Sequence, residues 1–391
     1  MRMKMRFRTL VLVCGAVAAA NVLIFLYRLP AISLDEADAT ETSHEPLKLP
    51  EDEMELVAAR LDVDLGPVGG SSTRGPHRER LRARSHTNKF LIHSYLRGGG
   101  GVLAEALNLH ADDLFFLYQP LYKLQEEGPE YGTEVLSTKK APQALKWLNH
   151  AYNCTFEGHE DMIHAPYLWK SHSIRNTFRK KCQAKKMWIT QCLQEACSDR
   201  QLRAIFTIRL GIDHISELIK LYGEEFKVVV VIRDPRAILS ARRRENLGPT
   251  LNTPLTFRQQ AALLCSSMAA DITLANELTD RYPGSVMILH YEHLLTEPLE
   301  VLTHLYDFLG LNATSSHLNK VIRILKLDRQ QEVLIQVLKA WQVELTLRES
   351  RSVDYGCSHT YEKLGYFPVP KAITNKDNYF VSWDQARMKE H

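Results

Sequence analysis

The sequence predicts an α/β fold: a central parallel sheet flanked by helices. Two observations carry this. Short apolar runs recur along the chain and alternate with helical patterns, as expected of strands joined by crossovers. One of them, Lys227–Ile232, contains Val228, Val229, Val230, Val231 and Ile232 without interruption. A strand apolar on both faces belongs in the middle of a parallel sheet. Composition agrees, because 391 residues with 45% hydrophobic and 24% charged exclude collagen-like, low-complexity and wholly disordered chains. A formal net charge of +3 speaks against a nucleic-acid partner held by phosphate neutralisation.

From the N-terminus, residues 1–9 form a basic tail (Arg2, Lys4, Arg6, Arg8) ahead of an apolar run, Leu10–Tyr27. Those residues reach the minimum length for a helix that crosses a bilayer core. The basic flank places the tail in the cytosol and the rest of the chain in the lumen. A transmembrane signal anchor over 10–27 is expected rather than a cleaved signal, since the apolar run continues past Ala18-Ala19-Ala20. Residues 28–88, acidic first and basic later, show no sustained hydrophobic period and read as a flexible stem. In a luminal protein Asn153-Cys154-Thr155 and Asn312-Ala313-Thr314 read as N-glycosylation sequons. Six cysteines lie beyond the anchor and can pair there. Cys154, Cys182, Cys192 and Cys197 share one segment and read as a cross-linked insertion; the pairing stays open, the plainer alternative being that some, Cys265 in its apolar stretch above all, are buried thiols.

An ordered domain is expected over 89–370, with a tail over 371–391. Phe90–Tyr95 reads as a strand, followed by Arg97-Gly98-Gly99-Gly100-Gly101 and a helical pattern of Val102, Leu103, Ala106 and Leu107. Strand, glycine loop and helix start make an anion-binding turn, in which backbone N–H groups point at a phosphate and glycine lets the chain come close. Four consecutive glycines also read as a merely flexible loop. No Gly-Lys-Ser/Thr follows, which excludes a Walker A loop and disfavours a kinase. Leu114–Tyr118 is the next strand, stopped by Gln119-Pro120; Ala204–Ile208 is another, ending at Arg209, with a helix over Ile215–Leu221. After Lys227–Ile232 come Arg233-Asp234-Pro235-Arg236 and a helix over 237–244. Val286–His290 runs into Tyr291-Glu292, and Pro298–Leu309 is an amphipathic helix closed by Gly310. The ligand of such a sheet sits at the C-terminal edge of the strands, where Arg97, Gln119, Arg209 and Arg233 fall.

The strand, Arg-Gly-rich loop and helix, followed by a strand and Arg233-Asp234-Pro235-Arg236-Ala237, resemble the Golgi carbohydrate sulfotransferases. The branch that transfers to the 6-hydroxyl of galactose, N-acetylglucosamine or N-acetylgalactosamine is the most similar. The likeness spans about residues 89–367 and takes in Asn108-x-His110, Phe115–Leu121, Arg209, Tyr291-Glu292, Trp341, and Cys357 with Leu364-Gly365-Tyr366. It implies a P-loop-like sulfotransferase fold, PAPS as co-substrate, no metal, and transfer of sulfate to a glycan hydroxyl (6-O). The acceptor would belong to a glycoprotein, glycolipid or proteoglycan. The protein would be a single-pass type II Golgi membrane protein with a luminal catalytic domain; homo-oligomerisation is left open. Donor contacts are implied at Arg97, Gly98, Gly99, Gly100, Gly101 and Val102 for the 5′-phosphosulfate, and at Arg233, Ser240 and Ala241 for the 3′-phosphate.

The chain also departs from the family pattern. Two hydroxyl positions of the first loop are Gly100 and Gly101, and the serine of the second is Ala241, with Ser240 displaced by one. The general-base carboxylate is Gln119, which accepts a hydrogen bond but no proton at useful pH. A basic residue often found before the strand-end Thr-x-Arg is Phe206. A hydrogen bond to charged phosphate contributes about 1.5–3 kcal/mol, and a general base about 10²–10⁴ in rate. These losses raise an alternative function, a catalytically silent homologue that binds glycans or proteins in the Golgi. His110 and His93 are candidate bases by sequence proximity, a backbone-satisfied helix-end histidine being the plainer reading of His110. The acceptor pocket is expected from residues 122–200.

Overall fold

The computed structural model describes residues 88–110, 112–126, 135–163, 165–245 and 255–369. The expected tail, anchor, nearly all of the stem and the 371–391 segment lie outside them. Five strands form one wholly parallel sheet: β1 (Lys89–His93), β2 (Leu114–Tyr118), β3 (Leu202–Thr207), β4 (Phe226–Ile232) and β5 (Val286–His290), in the order β2-β3-β1-β4-β5. Helices that frame the sheet and its C-terminal edge are α1 (Gly100–Asn108), α2 (Ala141–Tyr152), α3 (Ile212–Tyr222), α4 (Pro235–Arg244), α5 (Phe257–Arg281), α6 (Pro298–Leu309), α7 (Gln331–Glu344) and α8 (Leu347–Gly356).

Alternation along each strand divides the core in two. Phe90, Ile92, Phe206, Val229 and Val231 pack with α1 and α6, while Leu91, Leu117, Ile205, Val228 and Val230 pack with α2, α3 and α5. The unbroken valine run of β4 is thus explained by burial on both faces. β2 and β5 have the expected bounds. β1 ends two residues earlier than the sequence suggested, because the chain already turns at Ser94 and Tyr95, with the Gly98 N–H donating to the Tyr95 carbonyl (2.7 Å).

From β1 the chain reaches β2 by way of α1 on one face. From β4 it reaches β5 by way of α4 and α5 on the other. The direction of winding therefore reverses between β1 and β4, and in open parallel sheets that reversal is where a ligand crevice forms, outside the C-terminal ends of the strands.

Disulfides join Cys154 to Cys197, Cys182 to Cys192 and Cys265 to Cys357. The first two close the cysteine-rich segment. The third ties α5 to the residue after α8, so Cys265 is bridged and not the free thiol its apolar surroundings allowed. Among the described residues no helix is long and apolar enough to cross a membrane.

Candidate functional site

The turn after β1 is built almost entirely from backbone. Gly99 sits at φ +88°, and Gly100 and Gly101 already form the first turn of α1, two residues ahead of the apolar pattern that announces the helix. A Cβ added at Gly99 would overlap the Tyr291 ring, and one at Gly100 would overlap Ser94 and approach the Phe206 ring to 2.9 Å. At Gly101 there is room, the nearest atom being the Tyr118 hydroxyl at 3.6 Å. Close packing therefore imposes glycine at 99 and 100 but not at 101. No side chain caps α1 and no acidic residue sits in its first turn, so the positive end of the helix dipole is uncompensated from within. Val102 closes the turn, its N–H donating to the Gly99 carbonyl (3.0 Å).

Arg97 and Gln119 both occupy the left-handed region, at φ +66° and +52°. That conformation costs a non-glycine residue about 1–3 kcal/mol and gathers at functional sites. The half-exposed Arg97 guanidinium pairs with Glu245, just beyond α4. Gln119 is pinned from both ends: its N–H donates to the Phe206 carbonyl (2.8 Å), and its side-chain oxygen accepts from Arg209 Nη1. Arg209 in turn donates through Nε to Gln125 (2.7 Å) and lies over the Tyr122 ring (5.0 Å).

The turn after β4 relies on side chains instead. Asp234 caps α4 by accepting from the Arg236 N–H (2.9 Å). The fully buried Arg236 guanidinium bridges Asp234 (2.8 Å) and Asp354 (3.2 Å) and lies 4.4 Å over the Trp341 ring. The Asp234 N–H donates to Glu292 (2.9 Å), which also accepts from the Tyr366 hydroxyl (2.9 Å). Burial pushes the Glu292 carboxyl up to about 7. Trp341, Glu292 and Tyr366, far apart in sequence, thus form one support beneath Arg233-Asp234-Pro235-Arg236.

Arg233 joins the two turns. Its guanidinium lies 4.8 Å over the Tyr291 ring, and Nη1 donates to the Arg97 carbonyl (3.1 Å). Its Nε is covered by its neighbours and makes no hydrogen bond among the described residues.

Other expected residues are placed differently. Ser240 is buried on α4, and its hydroxyl donates to the Glu344 carboxylate at the end of α7, as does Arg244. Burial opposes ionisation of Glu344, but the Ser240 and Arg244 hydrogen bonds and the charges of Arg244 and Arg233 hold its carboxyl below the usual range. The displaced serine is therefore engaged by the protein's own anion, and the buried Ala241 offers no hydroxyl.

His93 is buried in the core, 3.3 Å from Asp271, which also accepts from the Tyr95 hydroxyl (2.7 Å) and the Ile212 N–H (2.9 Å). His110 follows α1 at the opposite, N-terminal edge of the sheet, where it meets Asp113, Tyr306 and His317. His93 meets Tyr95 at the start of the first turn (ring centroids 5.2 Å) but turns its nitrogen to Asp271, and His110 is brought to neither turn. The reading of His110 as a base fails because α1 carries it one helix length away from the glycine turn. Among the described residues no group of three or more metal-ligating side chains comes together.

Tyr118 and Lys170 were not singled out by the sequence. The Lys170 ammonium lies 4.2 Å over the Tyr118 ring, which is tilted against Phe206 (5.2 Å) and stacked on Tyr167 (6.1 Å). Lys170 is exposed, but partial desolvation of its ammonium, reinforced by the Arg97 charge and opposed by Glu105, lowers its pKa, and burial raises that of the Tyr118 phenol. The only available signal was the place of Tyr118 at a strand end beside Gln119. Of the sequon asparagines, Asn312 is exposed between α6 and the following helix. Asn153 is also exposed, but its amide donates to the Asn149 carbonyl (3.0 Å).

Residues 87–351 match the family model described as a sulfotransferase domain. Carbohydrate sulfotransferase 1 of Danio rerio is 24% identical over 357 residues, covering 74% of this chain and 81% of the relative. Carbohydrate sulfotransferase 2 of Mus musculus is 24% identical over 245 residues, covering 51% of this chain and 45% of the relative. The structure of mouse sulfotransferase SULT7A1 complexed with PAP is similar over 71% of this chain and 85% of that chain, with 15% identity and a TM-score of 0.40.

Proposed function

The chain belongs to the sulfotransferase-domain family and is a sulfotransferase, and from that premise we propose that it uses PAPS to sulfate a glycan hydroxyl. The 6-hydroxyl is supported by the resemblance to the 6-O-sulfotransferases. The observation that carries the reading is Arg233, whose guanidinium donates to the Arg97 carbonyl and so brings the two strand-end arginines to one crevice. The residues present fit a nucleotide with an anionic group at each end: one end meets the uncapped α1 turn and Arg97, once Glu245 gives way, and the other meets the Arg233 guanidinium.

PAPS supplies a sulfuryl group activated by its link to phosphate. Arg97 and the backbone of Gly98, Gly99, Gly100, Gly101 and Val102 would hold the 5′-phosphosulfate, and the charge on Arg97 favours the phosphate as it departs. Arg233 would hold the 3′-phosphate beside the Ala241 face of α4, and reaching Ser240 requires displacement of Glu344. Gln119, its side-chain oxygen held by Arg209, is left with amide N–H groups to orient the acceptor oxygen. It positions the hydroxyl and takes no proton; as the O–S bond forms and the bond from sulfur to the 5′-phosphate breaks, the hydroxyl proton would pass to the departing phosphate or to water.

The apolar run at 10–27 with its basic flank, the two sequons and the three disulfides support a single-pass type II protein of the Golgi membrane with its domain in the oxidising lumen. A glycoprotein, glycolipid or proteoglycan glycan is the acceptor class that compartment offers. Glu344 on Ser240 and the amide at 119 favour one second reading, a homologue that binds glycans or proteins without turnover.

Calorimetric titration of the whole chain with PAP tests both readings. Micromolar binding that Arg233→Ala weakens about 100-fold supports the donor site, and transfer from labelled PAPS to a glycan then tests turnover. A folded protein that ignores PAP up to about millimolar, a Kd near −4 kcal/mol in binding free energy, supports the second.

A further inference from the structure

Around the turn after β1, Phe206, Gly100 and Gly101 offer neither a cation nor a hydroxyl. In this chain both kinds of group return to the same place from other elements. The Tyr118 hydroxyl lies 3.6 Å from the position of a Cβ at residue 101, beside the space a serine there would use. Phe206 fills the space under Gly100 and supports the Tyr118 ring at 5.2 Å. On the same ring rests the Lys170 ammonium, at 4.2 Å.

Lys170 is held there by its backbone. Its carbonyl accepts from Asn108 Nδ2 (2.8 Å), and Asn108 Oδ1 accepts from the His172 N–H (2.9 Å), fixing this segment to the last turn of α1. The nearby carboxylate of Glu105 is shared with His172 (2.9 Å) and Asn108 (2.7 Å). Lys170 also feels the positive charge of Arg97, in the direction of repulsion. Arg97, paired with Glu245, and Lys170 both act on the uncapped turn of α1, and an anion bound there would relieve the repulsion between them.

We propose that Tyr118 and Lys170 are donor-site residues, whose hydroxyl and ammonium hydrogen-bond the 5′-phosphosulfate in place of the groups absent at 100, 101 and 206. This rests on the PAPS reading above. The loop binds through backbone and Arg97, and the remaining hydroxyl and cation come from the end of β2 and the segment before His172.

Titration of the whole chain with two nucleotides tests this: PAP, which carries a 5′-phosphate, and adenosine 3′-monophosphate, which does not. Lys170→Gln is expected to weaken PAP about 10- to 100-fold and Tyr118→Phe about 3- to 10-fold, with adenosine 3′-monophosphate unchanged for both. Adding Gly101→Ser to Tyr118→Phe should restore PAP binding, which a purely structural role of the phenol would not allow. Unchanged PAP binding in both single variants overturns the inference while leaving the donor reading intact. An equal loss of both nucleotides assigns the pair to folding and overturns it as well. Failure of the unaltered chain to bind either nucleotide overturns the donor reading, and this inference falls with it.

Discussion

After β1 the chain turns on backbone, with glycines packed against Ser94, Phe206 and Tyr291 and no capping side chain. After β4 it turns on charge, with Asp234 capping α4 and a buried Arg236 shared between Asp234 and Asp354. Both deliver an arginine, Arg97 or Arg233, to the same crevice. The difference is in what each tolerates. The first turn is closed to added atoms, because its neighbours already fill the space beside the backbone. The second is closed to lost atoms, because every member of its polar lock completes another.

The largest expected effect tests the second turn. Arg236→Ala leaves Asp234 and Asp354 as uncompensated buried carboxylates and should cost about 3–5 kcal/mol, read as a lower midpoint in denaturant unfolding. A loss below about 1 kcal/mol, the size expected of an exposed ion pair, would show that the lock is not what holds this turn.

Next, Gly99→Ala tests the first turn. A positive φ and overlap with Tyr291 together should cost about 2–3 kcal/mol and weaken PAP binding. Wild-type stability would break the claim that packing fixes this glycine.

A third prediction uses pH. Glu292 titrates near 4.5 when unfolded and about 7 when buried, so folding takes up a proton between these values. Its contribution is full below 4.5 and is lost as pH rises through 7. His290, pushed down to about 4 by burial from an ordinary 6.5, has the opposite sign and loses its contribution as pH falls through that range. Glu292→Gln should therefore leave stability rising with pH from about 4 to 6.5, with a change on the order of 2 kcal/mol relative to wild type. Parallel pH–stability curves for the two proteins would remove the Glu292 shift.

The smallest effect sharpens the contrast within one loop. Gly101→Ala meets only the Tyr118 hydroxyl at 3.6 Å and should be neutral or stabilising by about 0.5–1 kcal/mol. A loss like that of Gly99→Ala would mean that the whole loop, and not its first part, is packing-limited.

The strands could be read from the sequence where burial on both faces demands an apolar residue at every position, as in β4, or where a terminator follows, as Gln119-Pro120 follows β2. The order of the strands could not, since an apolar run carries no record of its neighbours. The anion-binding crevice was legible through Arg97 and Arg233 at strand ends. Ser240 misled for a geometric reason: one residue along a helix rotates the side chain by about 100°, and that turn delivers its hydroxyl to Glu344 rather than to the Ala241 direction. Lys170 was invisible because its position depends on Asn108, across the chain, and on no local pattern. The partner of Cys265 was likewise set by the packing of α5 on α8.

Phe206 and Ser94 also bear on how this loop can change over generations. A serine introduced at Gly100 alone would collide with both side chains, so a hydroxyl cannot be placed there in one step. Shrinking the buried Phe206 would leave the 2.4 Å clash with the Ser94 Cβ and would open a void beneath Gly100 and Tyr118, itself a costly change. Position 101 stays open to single changes in either direction. The two adjacent glycines therefore differ in reversibility: one is held in place by what has grown around it, and the other is free to drift.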